Sequence, residues 1–135
     1  METHEYIQVI ETRADAEVVL SVVAEVHNLP RWTTFFASVD GRVERGHAVT
    51  TLVGPAVTWI EKSGGEVDIC SELNGRLEKA RLSLQPSAAG TRIAFKVRLP
   101  VAWGSERIEA QLGSMTRELE RLQQLCEATS DGIRA

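Results

Sequence analysis

From Ala37 to Leu99 the chain is written as short alternating apolar and polar runs separated by turn-forming stretches at Gly41, Gly46, Gly54-Pro55, Gly64-Gly65, Asn74-Gly75 and Pro86 to Gly90. Alternation with period two gives a strand one buried and one wet side, and glycine supplies the turn backbone that other residues resist. Consecutive runs joined by tight turns pair antiparallel, so the stretch predicts a meander. Asn74-Gly75 is its sharpest mark, because a type I′ turn needs positive φ at both central positions. The clearest strand is Thr91 to Leu99, with Ile93, Phe95, Val97 and Leu99 on one side and Arg92, Ala94, Lys96 and Arg98 on the other. About six strands are expected here, those near Gly41 to Gly54 being the least sharply bounded.

Helical periodicity brackets this region. Glu5 to Glu11 reads as a first strand covered on both sides, with Ile7 and Val9 on one face and Tyr6, Gln8 and Ile10 on the other. Asp15 stands where an N-cap belongs, and Val18, Val19, Val22, Val23 and Val26 follow at helical spacing. Five β-branched residues make poor helix, so this segment must depend on packing. Pro30 in Asn28-Leu29-Pro30 ends it and starts a short second helix through Trp32. After Pro100, Ser105 caps a long helix whose apolar stripe is Ile108, Leu112, Met115, Leu119, Leu122 and Cys126. Arg107, Arg117, Glu118, Glu120 and Arg121 read as its solvated face, and the tail from Ala128 as frayed.

Composition excludes several functions. The 135 residues, 43% apolar, suffice for one core without staples, so a single domain over 1–135 is expected. A net charge of -4 opposes counterion-driven nucleic-acid binding. With no apolar run of spanning length and no basic stretch behind Met1, the sequence predicts a cytoplasmic protein without membrane insertion. Cys70 and Cys126 are too few and too far apart for a zinc cluster or disulfide framework. With no phosphate loop, His-x-x-x-His or Cys-x-x-Cys present, no cofactor and no metal are expected.

Strand, two helices, six strands and a long helix make an α+β domain in which one curved antiparallel sheet of about seven strands wraps the C-terminal helix. A twisted sheet curls, and a helix across its hollow side leaves space for a pocket. The sequence resembles the polyketide cyclase/dehydrase family of the START-like, helix-grip superfamily. The resemblance lies in Tyr6-Ile7-Gln8-Val9-Ile10, Ala14-Asp15-Ala16-Glu17-Val18-Val19, Asn28-Leu29-Pro30-Arg31-Trp32, Phe36-Ala37-Ser38-Val39, Gly90-Thr91-Arg92 and the last helix. It implies a cavity that takes an apolar or polyketide-type molecule, cyclised or dehydrated in some members and only carried in others. Two positions depart from the cyclase pattern. Phe36 stands where those enzymes tend to have tyrosine, and Lys62 or Ser63 where a cavity arginine belongs, so a cyclase built on this sequence would need another proton path.

Strand parity nominates candidates independently. If Ala80, Leu82 and Leu84 face inward, Glu78 and Arg76 share their side; Val57 and Trp59 likewise bring Glu61, and Val67 and Ile69 bring Ser71. In a partly dry pocket Glu61 or Glu78 would shuttle a proton while Arg76 held a developing oxyanion. At strand ends the same three charges would simply reach water. Trp32, Phe35, Phe36, Trp59, Phe95 and Trp103 would shape a ligand pocket with Leu112 and Met115 of the last helix, or else belong to the core. His27 and His47 read as surface residues. The partner expected is a small hydrophobic molecule, and a homodimer is left open.

Overall fold

The structure is a computed structural model describing residues 2–134. Strand β1 (Thr3–Thr12) leads into α1 (Ala16–Val23), a 3-10 turn (Val26–Asn28) and α2 (Leu29–Trp32). The meander follows as β2 (Phe36–Val43), β3 (Gly46–Thr51), β4 (Gly54–Ser63), β5 (Glu66–Leu73), β6 (Arg76–Ser87) and β7 (Gly90–Pro100), and α3 (Ser105–Arg134) closes the chain. All seven strands form one antiparallel sheet in the order β1-β7-β6-β5-β4-β3-β2. Only β1 leaves sequence order, pairing with β7 from Thr3↔Pro100 to Thr12↔Thr91.

Asn74 and Gly75 take positive φ, 52° and 76°, as the type I′ turn requires. Gly90 is demanded twice over: its φ is 145°, and a Cβ there would stand 2.5 Å from the Thr12 carbonyl oxygen. That close approach seats the β6–β7 hairpin against the end of β1, where the Thr91 hydroxyl donates to the Ala14 carbonyl at 2.7 Å. In the Gly41 region β2 bulges twice against β3, which explains why alternation there is hard to read.

The hollow face of the sheet carries the core. Val67 and Ile69 of β5, Leu82 and Leu84 of β6, and Ile93 and Phe95 of β7 meet Val19, Val22 and Val23 of α1 and Met115, Leu119, Leu122 and Cys126 of α3. Helix α1 ends at Val23, so Val26, expected on the same helix, is buried from the 3-10 turn instead. The break comes at Glu25, whose extended backbone lets its carboxylate cap His27 N–H at 3.1 Å. Asp15 occupies the N-cap of α1 through its backbone and makes no side-chain capping bond.

Two further expectations fail. The end of α3 does not fray at Ala128: the helix continues to Arg134, Ser130 is buried, and Asp131 holds Arg13 in a paired contact at 2.7 Å through both oxygens. Strand β1 is covered on one side only, and Ile7 and Val9 lie exposed on the outer face because no helix layer covers it. Among the described residues no helix is long and apolar enough to cross a membrane.

Candidate functional site

Helix α3 is tied along β1 at the sheet edge. Gln8 donates to the Leu112 carbonyl at 3.0 Å and accepts from Thr116 at 2.9 Å, Gln123 donates to the Glu11 carbonyl at 2.7 Å, and Thr12 donates to Glu127 at 2.9 Å. Held there, the helix does not fill the space over β5, β6 and β7 near its own N-terminal half. A cavity of about 170 Å³ remains between Gln111 and Glu118 on α3, Trp32 to Phe36 on the α2–β2 connection, and the ends of β5 and β6 with the middle of β7.

Its walls are mostly apolar. Trp32 and Phe95 meet edge to face at 6.1 Å between ring centres, Phe35 and Phe36 at 5.2 Å, and Ile69, Leu73, Ala80 and Val97 complete the sheet side. Ser71 also faces in, its hydroxyl bonded to that of Thr58 at 2.8 Å. The Trp32 indole N–H has no hydrogen-bond partner among the described residues and is enclosed by protein, not offered to the cavity.

The strongest polar feature is Glu118, only 5% exposed. One oxygen, Oε2, accepts from Thr34 N–H at 2.7 Å and from the Thr34 hydroxyl at 3.2 Å. Oε1 makes no hydrogen bond among the described residues and keeps some open surface. Burial pushes the Glu118 carboxyl above its ordinary pKa, against the Thr34 bonds and the more distant Arg121 and Arg117, which favour the charged form. Across the cavity Glu78 reaches in from β6 while remaining exposed, which places it at the mouth beside the partly exposed Phe35 and Gln111.

Of the residues nominated from the sequence, Trp32, Phe35, Phe36, Phe95 and Glu78 line this cavity. The other six lie elsewhere. Trp59 and Glu61 sit on the outer face, because the β4–β5 register turns Ala56, Thr58 and Ile60 inward, with Thr58 opposite Ser71 and Ile60 opposite Ile69. There the Trp59 indole donates to Glu61 at 3.0 Å and its ring lies under the Arg45 guanidinium at 4.9 Å. Arg76 has inward parity but stands exposed at the strand's first residue, beside the turn. Trp103 lies outside the cavity, with the Arg107 guanidinium stacked over its ring at 3.7 Å. Leu112, partly buried against the core, and Met115, wholly buried within it, do not line the cavity.

Glu118 was expected on the wet face of α3 and is the main correction. Helix arithmetic contained the signal: it lies three residues after Met115 and four before Leu122, on the flank of the apolar stripe. Gln111, seven residues or about two turns earlier, shares that flank.

A sheet curved around a long C-terminal helix, with an apolar cavity between them, is the START-like, helix-grip fold. A START superfamily protein from Mycobacterium smegmatis superposes with a TM-score of 0.69 at 14% identity, over 93% of this chain and 98% of its own. A Bacillus halodurans protein solved in solution gives 0.68 at 13% identity over 93% and 99%. A Staphylococcus aureus protein of unknown function gives 0.68 at 11% identity over 96% and 97%. At such identities the likeness is one of fold. No protein-family model and no curated protein sequence matches the chain.

Proposed function

We propose that the protein binds a small, largely apolar molecule in the cavity between its sheet and α3. The observation that carries this reading is the cavity itself: about 170 Å³ walled by Trp32, Phe35, Phe36, Phe95, Ile69 and Val97, in a domain small enough to have packed it shut. An engineered cavity of about 150 Å³ with similar walls takes up benzene, so the part of the ligand held inside is about one ring in size. A full polyketide chain needs more room than that, and the three charges nominated for cyclase chemistry do not converge, since only Glu78 reaches the cavity. Binding without catalysis is therefore the first reading.

The buried carboxyl favours a second. Glu118, its carboxyl raised above its ordinary pKa by burial, lines the same space as the exposed Glu78, and two carboxyls of different environment are the equipment for moving a proton on a bound molecule. Such a step would use these two groups and not Glu61 or Arg76.

Native mass spectrometry of freshly purified protein tests the binding reading, with Ala80→Phe as the control that fills the cavity from its floor. A co-purifying small molecule present on the natural chain and lost from A80F is the expected result. Identical ligand retention by both proteins would place the binding elsewhere and overturn it.

A further inference from the structure

Resting on that reading, we infer that the ligand carries a positively charged amino group on its apolar body, received by Glu118 at the base of the cavity and by Glu78 at its mouth. The inference comes from the balance of charge around the space. Its polar side chains are two carboxyls on opposite walls, Glu118 from α3 and Glu78 from β6, together with Gln111, Ser71 and Thr33. Thr33 spends its hydroxyl on the Leu29 carbonyl at 2.7 Å, and Ser71 is engaged with Thr58. Among the described residues the one basic residue that borders the cavity is Lys79, and strand alternation turns its side chain to the outer face, where it lies near Cys70 and Asp68. No basic side chain of the described residues enters from the sheet side.

Glu118 supplies the specific contact. With Oε2 held by the Thr34 backbone and hydroxyl, the carboxylate is fixed in orientation, and Oε1 is left as an acceptor lacking a donor. An ammonium has three donors and no acceptor, so it satisfies that oxygen with a charge-assisted bond. The aromatic walls serve the same ligand twice, by covering its apolar body and by offering ring faces to its charge. A carboxylate-bearing ligand of equal size would add a third acid group to a space that already holds two and would bring no donor to Oε1.

The experiment compares three probes of nearly equal size on the natural chain: benzylamine, benzyl alcohol and benzoate, by calorimetric titration and by perturbation of amide resonances around Trp32, Phe36 and Glu118. Benzylamine is expected to bind about 10-fold or more tightly than benzyl alcohol, and benzoate more weakly than both. Glu118→Gln, which keeps the shape and an acceptor for Thr34, is expected to lower benzylamine affinity by more than it lowers that of benzyl alcohol, so that the preference for the amine disappears. Benzoate equal to or tighter than benzylamine, or an amine preference that survives E118Q in a folded variant, would overturn the inference. Benzyl alcohol binding without any amine preference would overturn it and leave the cavity reading standing; if none of the three binds, both fall. The ranking of probes on the natural chain decides the matter even if E118Q does not fold.

Discussion

Glu118 is the residue on which most of the chemistry turns. Its carboxyl titrates above the ordinary value of 4.5 because burial penalises the charge more than the Thr34 bonds and Arg121 and Arg117 favour it. Between 4.5 and that raised value the native state holds a proton the unfolded chain has released, so this group's contribution to stability falls as pH rises through the window. Asp68 beside Arg81, Asp40 with Ser38 and Thr50, and Glu25 with His27 are held below their ordinary values and act in the opposite sense. They are common to the natural chain and to Glu118→Gln, so the difference between the two isolates one group. Urea titrations from pH 4 to 8 should show the natural chain losing ground to E118Q as pH rises, whereas a gap independent of pH would mean the carboxyl is not desolvated. The same residue marks a limit of periodic reading. A glutamate on the flank of an apolar stripe among Arg117, Glu120 and Arg121 looks solvated, and only the approach of Thr34 from the α2–β2 connection buries it.

At the scale of elements, α3 is both a wall of the cavity and part of the core. Leu122, fully buried among α1 and sheet residues, should cost about 2–5 kcal/mol on substitution by alanine, read as a drop in the urea midpoint without change of slope. A cost below that range would mean that neighbouring side chains collapse into the vacated volume. Strand faces were legible where parity and turn agreed: Ala80, Leu82 and Leu84 turn inward with Glu78, and Ile93, Phe95 and Val97 do so on β7. They were not legible on β4, where Val57 and Trp59 are as apolar as Ala56, Thr58 and Ile60. Pairing with β5 chooses the second set, because Thr58 must meet Ser71 and Ile60 must meet Ile69. Trp59 and Glu61 left the site with that choice.

Considered whole, the molecule keeps an unfilled space that a chain of this size has residues enough to close, and a ligand that fills it must stabilise the fold by mass action. Benzene-saturated buffer should raise the melting temperature by a few degrees, and Ala80→Phe should remove the shift; an equal shift in both proteins would show that benzene acts elsewhere. The order of elements, the seven-stranded antiparallel sheet, the Asn74-Gly75 turn and the apolar stripe of α3 were determined by the sequence alone, because period, turn stereochemistry and helix spacing are local properties of the chain. Which flank of α3 faces the sheet, which face of β4 turns inward and where the cavity lies were decided by tertiary structure. Those depend on contacts such as Gln8 with Leu112 and Glu118 with Thr34, between residues 104 and 84 positions apart, which no local pattern encodes.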